Sequence, residues 1–505
     1  MNLPWLGSIP APANAKASRI ALASILLLAL AIRLWVLATH TYIAHPDETF
    51  QYLEPAHRLA FGSGVVTWEF IDGIRSWLLP SAIAGVMRLV SAFDTDPRTY
   101  VFVLRLLCVI ASLSVPYAGF RIAERLAGSG ASLAAGMLCA LSPQAIYFAP
   151  VIMTEPLATD LALLAVVIGG DARGRPRQLL VTGALFGLAA ALRYQFAPIL
   201  AAAALWQLGP DRRSLILVSA AGLAVVALAL GVLDAATWGV PFQSVWLNFL
   251  RNGPQGVSQA MGTESWTFYL QYFVAGWGAV TPAVLVCLAL GAWRAPVLAI
   301  LVFGTVGLHM LTPHKELRFI LLATATLPVL LGIGLHDVIS WLPSGWSGWS
   351  VRFGLAVVLA VAIAWGTLSR ATQLDAWHRD RSLLQATAAA RAIPDVCGLA
   401  IRTAWVYRTG GYSYWHRNEP LYFGTWYPAQ VLPDSDIRLP LETVLPGRSV
   451  RQFPDADLAA NTDAFNALVG LRSDALPSFT EQACFGSGRP DDRTFCVFTR
   501  PGGCG

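Results

Sequence analysis

The chain has 505 residues, of which 55% are hydrophobic and only 13% charged, where a soluble domain carries about a quarter charged residues. That composition excludes an ordinary water-soluble fold. The net charge of +5 would suggest nucleic acid in a soluble protein, but the basic residues here sit in short loops between apolar runs, where they set membrane topology, and no nucleic-acid partner is expected.

In chain order, the run 20–32 follows Lys16 and Arg19 as a signal peptide would. It continues as Arg33-Leu34-Trp35 without a small-residue cleavage site, so it is expected to stay as a first helix. Apolar runs predict spans at 18–38, 99–119, 129–149, 151–169, 178–192, 195–208, 214–233, 268–291, 296–312, 319–338 and 353–369, most of them near the roughly 20 residues that cross a hydrocarbon core. With the N-terminus inside, the loops holding Arg121 and Arg125, Arg173, Arg175 and Arg177, Arg212 and Arg213, Arg294, and Arg352 all fall on the cytosolic side, as the positive-inside rule asks. Eleven crossings put the C-terminus outside. The stretch 77–93 is apolar enough for a twelfth span, but counting it would turn those arginines outward, so it is expected to be interfacial or re-entrant. Arg193-Tyr194-Gln195 interrupts the run 178–208, which reads as a broken hairpin.

From about residue 371 the helical periodicity ends, and alternating segments such as Leu399-Ala400-Ile401-Arg402 suggest a small α/β domain. The expected fold is a polytopic α-helical membrane domain, 1–370, with about 11 transmembrane helices, followed by a soluble extracytoplasmic domain, 371–505. Cys108, Cys139 and Cys287 lie in apolar runs, whereas Cys397, Cys484, Cys496 and Cys504 lie in the C-terminal part, which points to an oxidising compartment. Cys484 and Cys496 flank the turn-rich Gly486-Ser487-Gly488-Arg489-Pro490 and are expected to bridge a hairpin.

Three segments, 39–98, 234–267 and 313–318, fall on the outer side and can converge on one site. The first holds His45-Pro46-Asp47-Glu48-Thr49-Phe50-Gln51, Glu54, Thr67-Trp68-Glu69-Phe70 and Arg75-Ser76. Asp47 and Glu48 also suit a helix start after Pro46, where the dipole favours anions. The last reads Pro313-His314-Lys315-Glu316-Leu317-Arg318-Phe319, three cationic side chains within five positions, suited to phosphate through a guanidinium fork and an ammonium point charge. The alternative is a set of snorkelling interfacial anchors, but an outward positive cluster opposes the usual bias. Glu155, Arg193, Asp234, Asn248, Asn252, Trp266 and Tyr269 lie near the outer ends of spans. Singly each suits capping or a bundle ion pair; one shared cavity explains them together. The sequence holds no G-x-x-x-x-G-K-[ST], no G-x-G-x-x-G after a strand, no C-x-x-C and no H-E-x-x-H, so neither a nucleotide site nor a zinc site is indicated.

These motifs resemble the GT-C membrane glycosyltransferases, and more narrowly glycosyltransferase family 22, the mannosyltransferases of glycosylphosphatidylinositol-anchor and N-glycan assembly. His45-Pro46-Asp47-Glu48-x-x-Gln51 with Glu54, and Thr67-Trp68-Glu69-Phe70 through Arg75-Ser76, look like that family's first luminal loop. His314-Lys315-Glu316-x-Arg318-Phe319 looks like its H-K-E-x-R-F motif, and Thr154-Glu155, the stretch from Asp234 to Asn248-Phe249-Leu250, and Tyr269 are weaker echoes. The resemblance spans about 30–325 and is closest to the glycosylphosphatidylinositol mannosyltransferases.

The resemblance implies transfer of mannose or a related hexose, with inversion, from a polyprenyl-phosphate-linked donor to a glycolipid or lipid-linked glycan acceptor among membrane lipids, without cofactor or metal. Asp47 is the expected general base with Glu48 second, because an attacking hydroxyl must lose a proton. His314, Lys315, Arg318 and Arg193 are expected at the donor phosphate, where negative charge accumulates. His45, Gln51, Glu54, Trp68, Glu69, Arg75, Glu155, Asp234, Asn248 and Tyr269 are expected on the substrates. An Ala- and Arg-rich composition with few lysines points to a bacterial inner membrane and a periplasmic site; the alternative is the endoplasmic reticulum with a luminal site. A transporter or flippase of lipid-linked sugar is the rival function, but it predicts pseudo-symmetric halves with helices broken at corresponding places, and the visible breaks do not pair that way.

Overall fold

The computed structural model describes residues 15–341, 377, 380–403, 409–425, 451–486 and 493–504. The predicted span 353–369 and Arg352 lie outside the described residues. Among the described residues, five helices or continuous helical stretches are long and apolar enough to cross a bilayer: Ala15–Thr39, Pro97–Leu141, Arg212–Trp238, Phe268–Arg294 and Leu317–Ser340. The chain is a multi-pass integral membrane protein. Shorter apolar helices are Leu78–Ser91, Pro176–Leu192 and Pro296–Met310.

The chain divides into two compact units. The first is drawn from within Met1–Val36, Leu106–Phe242 and Gly256–Ala371, and its core is built mainly of Ala, Val and Leu around the helix Leu321–Ser340, which is buried along nearly its whole length. Lipid is as apolar as leucine, so such helices associate by close packing of small residues. A Cβ on Gly334 would stand 1.8 Å from the Cys287 carbonyl oxygen, and one on Gly291 2.1 Å from that of Leu330. Buried Arg33 is held by the Ser112 hydroxyl at 3.1 Å and the Ala29 and Ala140 carbonyls at 3.1 and 3.2 Å, which offsets the cost of a charge in a membrane helix. The interruption at 193–195 falls between helices Pro176–Leu192 and Ala197–Leu208, where Arg193 leaves helical geometry and a 3₁₀ turn, Tyr194–Phe196, follows.

The second unit is drawn from within Leu37–Arg105, Gln243–Gln255 and Thr372–Gly505, so the first loop clusters with the C-terminal residues. Its sheet comprises β1 (Leu399–Thr403), β2 (Leu421–Thr425), β3 (Arg451–Pro454), β4 (Ala467–Leu471), β5 (Thr480–Phe485) and β6 (Phe495–Thr499), in the order β3-β2-β1-β4-β6-β5. β1 is parallel to β2 and β4, and β2 to β3, while β6 runs antiparallel to β4 and β5. Alternation sends Leu399 and Ile401 to a core shared with helix Arg381–Arg391, and Ala400 to the opposite face with Leu468 and Phe498, as a two-residue period requires. Disulfides join Cys397 to Cys504 and Cys484 to Cys496. The apolar stretch 77–93 forms the 14-residue helix Leu78–Ser91, short of the roughly 20 residues of a span. Its Arg88 donates to the Leu59 and Ala60 carbonyls at 3.0 and 3.2 Å.

Candidate functional site

Two clusters of polar side chains emerge, one in each unit. In the second unit the first loop enters a π-helical turn, Glu48–Leu53, that runs on into the helix Glu54–Phe61. The adjacent acids Asp47 and Glu48 meet different surroundings. The Glu48 side chain is 1% exposed, and its Oε1 lies 3.1 Å from the Arg105 guanidinium while Oε2 accepts the Ala44 amide at 3.2 Å. Arg105 also donates to the Tyr42 carbonyl at 2.7 Å and lies over the Tyr42 ring. Glu48 is therefore an anchor of the loop.

The Asp47 side chain is 16% exposed, with Oδ1 3.3 Å from His45 Nδ1. Its own amide donates to that same nitrogen at 3.2 Å, so Nδ1 acts as an acceptor and a neutral imidazole brings no proton to the carboxylate from there. Glu69 is buried, accepting from Gln51 Nε2 at 2.7 Å and facing Arg75 at 3.4 Å. Burial pushes its carboxyl above the ordinary range; Arg75 opposes this, and the nearby Asp47 charge adds to it. Two carboxylates in unlike surroundings, one buried and one partly exposed, are a pairing that acid–base chemistry can use.

Helix Gln243–Asn252 braces this loop, Asn248 donating to the Ile74 carbonyl at 3.3 Å and Arg251 pairing with Asp72 at 3.0 Å. Trp68 opens the short helix Trp68–Ile71. Glu54 lies away from this group: it is fully buried, its oxygens taken by the amides of Val65 and Ser413 at 2.7 and 2.6 Å.

In the first unit, Glu155 stands in the first turn of helix Thr154–Gly170, fully buried. Its Oε1 lies 3.2 Å from Arg193 and 3.4 Å from Arg318, and both guanidiniums sit over the Phe319 ring, 5.0 and 5.1 Å from its centroid. Arg318 also reaches Glu316 at 2.6 Å. His314 places Nε2 2.9 Å from the Glu316 carboxylate and Nδ1 2.9 Å from the Gly262 carbonyl. Both partners only accept, so the imidazolium is favoured; the Glu316 hydrogen bond raises the His314 pKa above its ordinary value, against burial. Lys315 Nζ is capped by the Thr312 and Glu264 carbonyls at 2.6 and 3.2 Å, and the Tyr269 hydroxyl donates to the Glu316 carbonyl at 3.1 Å. Arg193, Lys315 and Arg318 outnumber Glu155 and Glu316, and a protonated His314 adds to the excess. Such a cluster is suited to a phosphate group. Asp234 is buried in helix Leu233–Trp238.

The structure thus groups Asp47, Gln51, Glu69 and Arg75 in one cluster, with His45 beside Asp47, and Glu155, Arg193, Tyr269, His314, Lys315 and Arg318 in the other. Arg105 and Glu316 were absent from the expected site residues. An arginine in an apolar helix is itself a signal, and Glu316 lies within the recognised motif. Among the described residues, one group of metal-ligating type is close enough to share an ion, Glu481 with Cys484 and Cys496, but those two sulfurs are bonded to each other.

Comparison with known proteins follows the same lines. The profile of the Alg9-like mannosyltransferase family matches residues 24–416. GPI mannosyltransferase 3 of Trypanosoma brucei brucei (strain 927/4 GUTat10.1) is 26% identical over 440 residues, covering 76% of this chain and 75% of that protein. The Yarrowia lipolytica protein of the same name is 27% identical over 298 residues, covering 56% of each, and the Drosophila melanogaster one is 39% identical over 98 residues, covering 19% of this chain and 17% of its own. The chain therefore spans about half or less of the length of these last two relatives. Among solved structures, ArnT from Cupriavidus metallidurans bound to undecaprenyl phosphate aligns with a TM-score of 0.60 at 12% identity, covering 96% of this chain and 98% of that one. Archaeal oligosaccharyltransferase AglB from Archaeoglobus fulgidus, in complex with an inhibitory peptide and a dolichol-phosphate, aligns at 0.50 and 13% identity, covering 80% and 64%. At these identities the likeness is one of fold, the polytopic helical GT-C arrangement. Since the family profile runs through both loop motifs and most of the chain, this protein belongs to the Alg9-like mannosyltransferase family.

Proposed function

We propose that this chain is a mannosyltransferase that moves mannose from a polyprenyl-phosphate-linked donor to a glycolipid or lipid-linked glycan, with inversion. The observation that carries the reading is the division of charge in a chain of this family: a partly exposed Asp47 near buried Glu69, and an excess of cations around the 313–318 loop. The acceptor hydroxyl attacks the anomeric carbon and gives its proton to Asp47 as the new C–O bond forms. The bond from that carbon to the phosphate oxygen breaks, and its electron pair leaves on the polyprenyl phosphate. Arg193, Arg318, Lys315 and protonated His314 stabilise that developing charge. Glu155 supports this as the buried counter-ion that orients both arginines.

The two disulfides of the C-terminal residues support an oxidising compartment. A bacterial inner membrane with a periplasmic site fits the scarcity of lysine; the named eukaryotic relatives favour the endoplasmic reticulum lumen as the alternative. The test incubates the purified full chain with polyprenyl-phosphate mannose and a panel of glycolipids, following polyprenyl phosphate and acceptor by mass spectrometry. Release of polyprenyl phosphate with a gain of one hexose on an acceptor is expected. No release with any sugar donor overturns the reading.

A further inference from the structure

Glu54 belongs to the first-loop motif, yet its carboxylate is spent inside the protein. Oε2 accepts the Val65 amide at 2.7 Å, eleven residues along the same loop, and Oε1 accepts the Ser413 amide at 2.6 Å, 359 residues away. The backbone wraps the carboxylate so closely that a Cβ on Gly411 would lie 2.5 Å from its carbon, and Gly411 adopts φ +57°. Glycine is the residue that both conditions require.

Around this contact the two segments share further bonds. The Tyr100 hydroxyl donates to the Ser413 carbonyl. His57 Nδ1 faces the Ser63 carbonyl, so it carries the proton and Nε2 accepts; His416 Nδ1, 2.8 Å away, is then the donor. The Phe61 and Tyr100 rings pack edge-on against His416, with centroids 4.7 and 5.6 Å distant. Tyr412 and Trp415, on the short helix Gly411–Trp415, are buried in the core of the C-terminal sheet with Leu399, Leu421 and Phe423, and Val65 packs against that same core. One end of this joint is thus the sheet, and the other is the helix that continues directly from the π-helical turn Glu48–Leu53.

We propose that Glu54, seated against Gly411, is a positioning residue through which the C-terminal domain holds the turn that carries Asp47 and Glu48. The domain is then a working part of the first loop. Both oxygens face amide donors, so the position needs a group that accepts at both ends; a glutamine would turn its NH₂ against one of those amides. The effect on turnover rests on the transfer reading given above, whereas the mechanical effect does not.

The experiment follows amide hydrogen exchange by mass spectrometry on the full chain in detergent, for wild type, Glu54→Gln, Gly411→Ala, the milder Tyr100→Phe, and a control, Glu481→Gln, which opens an exposed ion pair with Arg472. Residues 48–53 should exchange about tenfold faster in Glu54→Gln and Gly411→Ala, and detectably faster in Tyr100→Phe, with Leu321–Ser340 and the control unchanged. In parallel, kcat should fall about tenfold or more with the donor KM unchanged, since donor contacts are left intact. Wild-type protection of 48–53 in every variant that folds overturns the proposal. So does faster exchange with unaltered kcat, in a preparation whose wild type transfers sugar. A wild type that transfers nothing counts against the transferase reading alone, and the exchange data still decide the joint.

Discussion

Asp47 and Glu48 are neighbours in the sequence and opposites in the structure. The motif put both forward as bases; which of them turns inward was not legible, because the group that claims Glu48 is Arg105, 57 residues further along. The two substitutions should therefore fail differently. Asp47→Asn should lower turnover about 10² to 10⁴-fold with the donor KM little changed. Glu48→Gln should act through stability, since it removes the charge that faces the buried Arg105 guanidinium, at a cost of up to about 3–5 kcal/mol, read as a lower thermal midpoint in detergent. An unaltered midpoint in Glu48→Gln together with full loss of turnover would transfer the base role to Glu48. His314 adds a pH signature. Its pKa is raised by Glu316, so its charge is complete below the ordinary histidine range and is lost only as pH climbs through the raised value. Donor affinity should weaken across that alkaline step, and His314→Gln should flatten the dependence; a profile identical in both proteins would remove His314 from the phosphate group.

At the scale of elements, local patterns were readable and distant pairings were not. The turn-rich stretch 486–490 marked Cys484 and Cys496 as a hairpin pair, and they face each other across β5 and β6. Cys397 and Cys504 lie 107 residues apart, with no intervening pattern that marks them as partners. Loop-closure entropy ranks the two bridges: the 12-residue separation of Cys484 and Cys496 should contribute about 3 kcal/mol, and the longer loop nearer 5 kcal/mol. Replacing Cys397 and Cys504 together by serine should thus lower the urea midpoint for proteolysis of the C-terminal residues more than the same change at Cys484 and Cys496. The reverse order would mean that strain or residual structure in the reduced chain outweighs chain entropy. The interruption at Arg193 was readable because a cation inside an apolar run is expensive. Its partner Glu155 sits 38 positions earlier, a distance that no helical or strand period encodes.

At the scale of the whole molecule, hydropathy announced a membrane bundle, and alternation announced a sheet after residue 371. The clustering of the first loop with the C-terminal residues was not legible, because it depends on single contacts such as Glu54 with Ser413 rather than on any repeating pattern. Sidedness remains the strongest test of the arginine argument. The chain suits cysteine mapping: Cys108, Cys139 and Cys287 are buried and the other four cysteines are bonded in pairs. A single added cysteine therefore reports alone. Phe93 and Thr263 are exposed in two of the predicted outer segments, while Pro176 and Pro210 are exposed beside the arginines of two predicted inner loops, and changing them leaves those arginines in place. An impermeant maleimide applied to the outside of sealed cells or right-side-out vesicles should label Phe93→Cys and Thr263→Cys, and should reach Pro176→Cys and Pro210→Cys only after permeabilisation. Thr263 lies next to Glu264, whose carbonyl caps Lys315, so it reports on the cation cluster, and Phe93 reports on the carboxylate loop. Labelling of Phe93→Cys from outside with Thr263→Cys reached only from the cytosol would put the proposed base and the proposed phosphate cations across the membrane from each other, and no single transfer could then use both.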